Sequence, residues 1–343
     1  MDNRRTRPAP LPDPAPPLEV AGTVTTVPDP LPTASEPFIH PALFYRGPED
    51  YLTGVGGFVE AALAAGEPVL VAVPGPRLAA LRDRLGPARD GLALVDMTEL
   101  GRNPGRILAA LRDFADRHPG RAARIVGEPI WPGRSRAETT EATRHEALIN
   151  LAFAGRTATV LCPYDANGLP ARVLADARRT HPVVVEDGRE HPSPHYADPA
   201  DVGAGCDTPL PDPPGENTVA VDFSAGLLSA ARHRADVWAA EAGLDARRRT
   251  DFVLAVAEAT TNSVAHGGGH GTLRLWTDRG VHTAEVRDRG RLADPLAGRR
   301  RPSPESADGG RGLWMIHQLC DLVETRAGSG GLVLRMHMAA GGS

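Results

Sequence analysis

Short apolar runs alternate with longer amphipathic stretches between residues 37 and 187, and this alternation restricts the fold more than any other feature of the chain. The predicted strands are Val69–Val73, Leu92–Asp96, Ala123–Gly127, Thr157–Pro163 and Val183–Val185. The predicted helices are Tyr51–Ala65, Pro76–Leu85, Pro104–Arg117 and Arg136–Ala154. Because strands separated by helices usually pair in parallel through crossover connections, the pattern predicts an α/β domain with a mostly parallel sheet.

A different pattern begins at Asn217. Helices are predicted near Ala225–Ala242, Ala246–Ala265 and Gly312–Cys320. Strands are predicted at Thr218–Phe223, Thr272–Thr277, His282–Arg287, Leu322–Arg326 and Leu332–Met336. Because consecutive strands joined by tight turns pair in antiparallel fashion, this part is predicted to be an α+β two-layer sandwich, with its helices on one side of a mainly antiparallel sheet.

Two segments show neither the alternating pattern of the first domain nor the pattern that begins at Asn217. Residues 1–36 are rich in proline and too poor in apolar residues to offset the entropy of ordering, so we predict a disordered tail. Residues 188–216 carry many proline, glycine and aspartate residues without a period, which is typical of a linker. The predicted domains are therefore residues 37–187 and 217–343.

Composition argues against several classes of function. The net charge of −5 and the isoelectric point near 6.2 predict no basic surface for nucleic acid. The apolar runs are too short to cross a bilayer and the first residues do not resemble a signal peptide, so we predict a cytoplasmic protein without a membrane partner. Cys162, Cys206 and Cys320 lie far apart without zinc-binding spacing, so neither a disulfide framework nor a structural metal site is predicted.

The helix predicted at Ala246–Ala265 carries Glu258 and Asn262 four positions apart, which places both side chains on one face. Carboxylate and amide oxygens are ligands that Mg²⁺ accepts. The carboxylate can also orient a water molecule or accept a hydroxyl proton. Taken alone, this spacing is also typical of a solvated helix face.

Two segments that contain glycine follow. Asp288 and Gly290 lie at a strand end, where a carboxylate can accept a hydrogen bond from an exocyclic amine while the glycine allows close approach to the backbone. An ordinary turn is the alternative at this position. The second segment is the run Gly309, Gly310, Arg311, Gly312 and Leu313. It leads into a helix whose first N–H groups can bind phosphate, although no Walker-type lysine and Ser/Thr pair is present.

In this order, the three segments resemble the N box and the two glycine boxes of the GHKL ATPase domain, which histidine kinases, gyrase-type ATPases and anti-sigma serine kinases share. The resemblance covers residues 218–338. It implies ATP and Mg²⁺ as cofactors, with Glu258 as catalytic base or water-orienting residue and Asn262 as the Mg²⁺ ligand. It also implies that Asp288 contacts the adenine amine and that the second glycine box wraps the phosphates.

The short connection Arg291–Asp308 resembles the anti-sigma branch, of the RsbA/RsbW type, more than the histidine kinases with their long lids. That likeness implies a serine/threonine protein kinase that binds a sigma factor, phosphorylates a STAS-type antagonist and often forms a homodimer. Arg299–Arg301 could reach the phosphates or form a solvated loop. Leu292 and Leu332 stand where relatives commonly have glycine and threonine, so a non-catalytic ATP-binding partner-switch module is the alternative.

Four segments of the first domain resemble the MEDS sensory domain, across residues 38–187. They are His40–Tyr45, Gly127–Trp131, Arg144–Asn150 and Leu161–Asp165. The resemblance implies a RecA-like core that senses an unknown small molecule. Candidate sensing residues are His40, Tyr45, Glu128, Trp131, His145 and Cys162. For Cys162, a small buried hydrophobic role is the alternative. The turn Pro74–Arg77 lacks lysine and Ser/Thr, so no nucleotide is predicted there.

His145-Glu146 also resembles the phosphoacceptor motif of a sensor histidine kinase. That site requires a two-helix dimerisation hairpin leading into the ATPase domain, whereas predicted strands and a proline-rich segment follow here. A sensor histidine kinase that autophosphorylates on His145 is therefore a weaker hypothesis than either the serine/threonine kinase or the non-catalytic ATP-binding module.

Overall fold

A computed structural model describes residues 38–86, 89–214, 217–302 and 310–340 of the chain. The tail predicted at residues 1–36 lies outside these ranges. The described parts of the two predicted domains belong to one compact unit. No helix in these ranges is both long enough and apolar enough to cross a membrane.

The first sheet has seven strands in the order β3-β2-β4-β5-β1-β6-β7. The strands are β1 (Pro41–Tyr45), β2 (Val69–Val73), β3 (Leu92–Asp96), β4 (Ala123–Gly127), β5 (Ala158–Asp165), β6 (Val183–Glu186) and β7 (Arg189–Pro192). All neighbouring strands pair in parallel except β6 and β7, which confirms the predicted α/β class with a mostly parallel sheet.

Helices cover both faces of this sheet. They are α1 (Pro48–Ala64), α2 (Gly75–Leu85), α3 (Met97–Leu100), α4 (Ile107–Asp116), α5 (Arg136–Ala152), α6 (Ala171–Thr180) and α7 (Pro199–Gly205). Side chains alternate along a strand, so Val69, Val71 and Val73 of β2 enter one core while Leu70 and Ala72 enter the other. The near-continuous apolar strands of the sequence follow from burial on both faces.

The segment 188–216, predicted as a linker, contains β7 and α7. The strand β7 pairs with β6 across a turn in which Asp187 and Gly188 have φ angles of 49° and 71°. Two positive φ angles are typical of a type I′ hairpin, for which Asp-Gly is a favoured sequence. The helix α7 packs on α5, so much of this segment folds onto the first sheet and its helices.

The second sheet has five strands in the order β11-β12-β10-β9-β8, all antiparallel. They are β8 (Val219–Ser224), β9 (His270–Asp278), β10 (Val281–Asp288), β11 (Leu322–Gly328) and β12 (Gly331–Ala339). The accompanying helices are α8 (Leu228–Glu241), α9 (Ala246–His266) and α10 (Arg311–Leu319). The helices α8 and α10 both pack on α9, and α9 packs on the sheet, which confirms the predicted two-layer α+β architecture.

Candidate functional site

The helix α9 positions Glu258 and Asn262 beside the start of α10. A Cβ atom added to Gly312 would lie 2.7 Å from Glu258 Oε2 and 3.0 Å from Asn262 Nδ2. Only a glycine at position 312 allows this approach without displacing those side chains. The buried Asn262 Nδ2 has no hydrogen-bond partner among the described residues, so it is available to a ligand.

Asp288 is held in place from two directions. Its Oδ2 accepts a hydrogen bond from Ser263 Oγ on α9 at 2.5 Å, and its Oδ1 accepts one from the Gly290 N–H at 2.7 Å. Because an ionised carboxylate has about four acceptor positions, capacity remains for an exocyclic amine. The fixed orientation and half-buried position of Asp288 are suited to reading such a group.

A cavity of about 380 Å³ lies between α9, the end of β10 and the start of α10. Five predicted site residues line it: Asn262, Asp288, Gly290, Gly310 and Leu313. Its volume is within the usual range for small-molecule and cofactor pockets, roughly 300–1,000 Å³. The structure therefore brings the three separate sequence segments around one cavity.

The N-terminus of α10 opens onto this cavity. Gly310 caps the helix with a φ of 84°, a conformation that glycine adopts without strain. Helix N-termini offer unpaired N–H groups and a partial positive charge to phosphate. Arg311 begins the helix and is exposed. Gly309 lies outside the described residues.

Two leucines also line the cavity. Leu332 of β12 stands directly across from Asp288 in the β10–β12 register, and Leu292 follows the first glycine box. Both therefore contribute apolar surface near the carboxylate that is expected to read adenine. Neither side chain offers a hydroxyl or a proton-accepting group to a bound nucleotide.

The three consecutive arginines of the connection between the glycine boxes each pair with a carboxylate, and Arg300 pairs with Asp294. Arg299 Nη2 donates to Glu141 Oε2 of α5 at 2.9 Å and is only 3% exposed, and Arg301 pairs with Asp113 of α4. Both earlier alternatives for Arg299, phosphate contact and a solvated loop, are therefore wrong. Arg299 is buried because it pairs with Glu141, which lies 158 positions away in the chain, and no local sequence pattern could indicate this partner.

Glu141 holds a second arginine as well. Arg326 Nη1 of β11 donates to Glu141 Oε1 at 2.5 Å, and Glu141 itself is fully buried. The Glu141 carboxylate thus pairs with Arg299, in the connection between the glycine boxes, and with Arg326 of the second sheet. Sequence reasoning missed Glu141, because on the sequence it is one of several acidic residues on an amphipathic helix.

The C-terminus of α10 is capped by side chains that precede α4. Arg106 donates to the carbonyl oxygens of His317, Gln318 and Cys320 at 2.6–3.0 Å, and Asn103 Nδ2 donates to His317 O at 3.0 Å. The last carbonyls of a helix lack partners within the helix and carry a partial negative charge, so an arginine stabilises them. The helix that opens onto the cavity at one end is thus anchored to the first domain at the other.

The six predicted sensing residues do not form one site. His40 and Cys162 meet Glu146 and His181 in a buried cluster between the first sheet and its helices α5 and α6. Burial, together with the neighbouring His181, lowers the pKa of His40 to about 4. Burial and the neighbouring Glu146 raise the pKa of the Cys162 thiol well above its ordinary value.

Tyr45 and Glu128 lie elsewhere, at the carboxyl edge of the parallel sheet. Tyr45 donates its hydroxyl to Glu128 Oε1 at 3.3 Å, while Arg77 forms ion pairs with both Glu128 and Asp165. The Arg77 guanidinium lies 5.0 Å from the centre of the Tyr45 ring. Arg77, the last residue of the turn Pro74–Arg77, is thus held by carboxylates of the same domain.

Trp131 and His145 belong neither to the buried cluster of His40 and Cys162 nor to the pair of Tyr45 and Glu128. The Arg134 guanidinium stacks 4.1 Å from the centre of the Trp131 ring. His145 on α5 is 1% exposed, and burial lowers its pKa to about 4. A phosphoacceptor histidine must be reached by a nucleotide, so this position argues against autophosphorylation on His145.

Comparisons with known proteins agree with this division. Residues 39–182 match the family described as MEDS, the methanogen/methylotroph DcmR sensory domain, and residues 222–338 match the histidine kinase-like ATPase domain. No curated protein matches the chain.

Among solved structures, the chain is similar to the RsbU and RsbW domains of Rv1364c from Mycobacterium tuberculosis. The identity is 18% and the TM-score 0.28, over 61% of this chain and 49% of that one, so the chain spans about half the length of that relative. The two family matches alone confirm the predicted pairing: a MEDS sensory domain precedes a histidine kinase-like ATPase domain in this chain.

Proposed function

We propose that this protein is a partner-switch regulator whose C-terminal domain binds ATP·Mg²⁺ under the control of its MEDS domain. The observation that carries the proposal is the cavity shared by Asn262, Asp288 and the N-terminus of α10. In this proposal Asp288 receives the adenine amine and Asn262 supplies an oxygen ligand to Mg²⁺. The N-terminus of α10 receives the phosphates.

The proposed partners are a sigma factor and a STAS-type antagonist, and the proposed reaction is phosphoryl transfer to a serine or threonine of the antagonist. Phosphoryl transfer depends on positioning and charge neutralisation more than on covalent chemistry. Glu258 lies against Gly312 at the start of α10, where a carboxylate could accept the proton of an attacking hydroxyl. Homodimer formation and a cytoplasmic location also belong to this proposal.

Control by the first domain is proposed to pass through α5 and α10. Glu141 of α5 holds Arg299 of the connection between the glycine boxes, and Arg106 holds the C-terminus of α10. A signal that shifts α5 against the first sheet would therefore act on Arg299, which belongs to the connection that lines the nucleotide cavity at residues 291–294 and 297. Breaking these buried ion pairs would be costly, so such a signal would have to compensate the separated charges.

The test measures nucleotide binding and phosphoryl transfer in the same preparations of the full chain. We expect Mg²⁺-dependent ATP binding by calorimetry, and transfer of labelled phosphate to a STAS-domain antagonist. Asn262→Ala should abolish the Mg²⁺ dependence, while Asn167→Ala, at an exposed turn after β5, should leave it intact. A chain that binds no ATP in Mg²⁺ would overturn the proposal.

The second candidate function is a binding module that holds ATP without turning it over. The apolar Leu332 opposite Asp288, together with Leu292, favours this candidate. A module of this kind should bind ATP but transfer no labelled phosphate to the antagonist. It should also capture a sigma factor in a nucleotide-dependent way. Transfer that is lost in Glu258→Gln, with ATP binding retained, would instead identify the kinase.

A further inference from the structure

We propose that His40, Glu146, Cys162 and His181 form a closed, four-coordinate binding site for a thiophilic divalent metal ion of the Zn²⁺ class. One ligand atom from each residue lies within 4.8 Å of all the others. All four residues belong to the first domain, and none of them takes part in the proposed nucleotide chemistry.

The spacings of the ligand atoms agree with tetrahedral coordination. Zn–N, Zn–O and Zn–S bonds of about 2.0–2.3 Å place neighbouring ligand atoms of a tetrahedron roughly 3.3–3.7 Å apart. Glu146 Oε2 lies 3.2 Å from His40 Nε2, 3.4 Å from His181 Nε2 and 3.3 Å from Cys162 Sγ. Cys162 Sγ and His40 Nε2 are separated by 3.5 Å. The two remaining pairs, from His181 Nε2 to His40 Nε2 and to Cys162 Sγ, lie within 4.8 Å, so a bound ion would draw these atoms closer together.

The hydrogen bonds on the far side of each imidazole fix its tautomer. His181 Nδ1 lies 2.8 Å from the carbonyl oxygen of Ala177, which can only accept, so this nitrogen carries the proton. Asn150 Nδ2 donates to Thr180 O at 2.8 Å, which turns Asn150 Oδ1 toward His40 Nδ1 at 3.1 Å. His40 Nδ1 therefore also carries its proton.

Both Nε2 atoms consequently present lone pairs to the centre of the cluster. There they face Glu146 Oε2, which is an acceptor as well. Within the cluster only the Cys162 thiol donates, to Glu146 Oε2, so the lone pairs of the two imidazoles and the carboxylate still repel one another unless a cation lies between them. Metal-binding histidines usually have this arrangement, with the outer N–H donated to a carbonyl or side-chain oxygen.

Charge and burial favour the same ligand. The four side chains are at most 1% exposed, so an unbalanced charge in the cluster would be costly. A divalent ion bound by one carboxylate, one thiolate and two neutral imidazoles has no net charge. When the ion binds, the Cys162 thiol loses its proton to solvent and the sulfur forms the bond to the metal.

The sequence predicted no structural metal site, because it contains no close pair of ligands. The four ligands come from the segment before β1, from α5, from β5 and from the end of α6. Only the packing of α5 and α6 on the sheet assembles them. A bound ion would therefore join α5, which carries Glu141, to the sheet.

The test uses the full chain, stripped of metal with a chelator under reducing conditions and then loaded with Co²⁺. We expect about one ion per chain, visible bands of tetrahedral Co²⁺ and a thiolate-to-cobalt charge-transfer band in the near ultraviolet. Zn²⁺ should displace the cobalt and remove all of these bands. A wild-type chain that retains no ion, or that binds Co²⁺ without the charge-transfer band, would overturn the proposal.

Two cysteine variants form a matched pair. Cys162→Ala should lose the charge-transfer band, whereas Cys320→Ala, which removes another buried free cysteine, should retain it. Asn150→Ala changes no ligand but removes the acceptor for His40 Nδ1, so it should keep the band and weaken Zn²⁺ affinity about 10–100-fold. An unchanged spectrum in Cys162→Ala would show that the ion binds elsewhere.

Discussion

Glu141 of α5 and Arg299, in the connection between the two glycine boxes, form a buried ion pair with an Oε2–Nη2 distance of 2.9 Å. The carboxylate also pairs with Arg326 of β11, so one negative charge holds two cations away from water. The two domains are thus joined by charged groups that are costly to separate. Arg299 belongs to the connection that lines the cavity in which ATP is expected to bind, at residues 291–294 and 297.

Replacing Glu141 with glutamine should destabilise the chain strongly. The change removes the carboxylate paired with Arg299 and one of the two paired with Arg326, and breaking a buried pair from one side costs about 3–5 kcal/mol. Urea denaturation would measure the lost free energy of unfolding, and hydrogen exchange should rise in residues 291–302. Glu99→Gln removes an exposed partner of Arg102 and should change stability by less than about 1 kcal/mol. Equal losses in the two variants would contradict a special role for Glu141.

Replacing Asp288 with asparagine should weaken ATP binding. A hydrogen bond to a charged group contributes about 1.5–3 kcal/mol, so the dissociation constant should rise roughly 10–150-fold. Isothermal titration calorimetry in Mg²⁺ would measure it. Asp278→Asn, at the exposed turn between β9 and β10, serves as the matched control. An unchanged affinity in Asp288→Asn would place the nucleotide outside this cavity.

Replacing Gly105 with alanine should disturb the contact between the first domain and α10. The added Cβ atom would lie 2.0 Å from Nδ1 of the buried His317, so one side must move. Overpacking of this kind typically costs about 1–3 kcal/mol. Gly57→Ala on α1 meets nothing within 4 Å and should be neutral or slightly stabilising. Thermal unfolding of both variants tests the difference, and similar melting temperatures would count against a tight contact at Gly105.

The stability of the chain should fall as the pH falls below about 6.5, in part through His317. Burial, together with Arg299 and Arg106, lowers the pKa of His317 well below its ordinary value of 6.5. Below that pH the unfolded chain takes up a proton that the folded chain excludes, so the free energy of unfolding decreases. The limiting slope for one such group is about 1.4 kcal/mol per pH unit.

This contribution can be isolated by comparing wild type with His317→Gln. Urea denaturation at several pH values between 7.5 and 5.5 should show a smaller decrease for the variant. Other buried histidines, such as His145, remain in both chains and cancel in the comparison. Parallel pH profiles would mean that His317 takes up its proton equally well in the folded chain.

Most elements were predictable because their signals are local. The strand Val69–Val73 is a short apolar run and its bounds were predicted without error. The central strand β1 was not predicted, since Pro41–Tyr45 is short and begins with a proline. The hairpin that includes β7 was also missed, although the Asp187-Gly188 pair is a typical local signal for such a turn.

The sequence by itself determined the two domain classes and the order of the three nucleotide-binding segments, because periodicity, turn residues and motifs depend on neighbours in the chain. Only the tertiary structure decided which distant side chains meet. Arg299 pairs with Glu141 instead of contacting phosphate or lying in a solvated loop, and Cys162 meets His40, Glu146 and His181. A buried polar or charged side chain needs a partner, because leaving it unpaired away from water is costly. The packing of the helices on the sheets decides which distant residue becomes that partner.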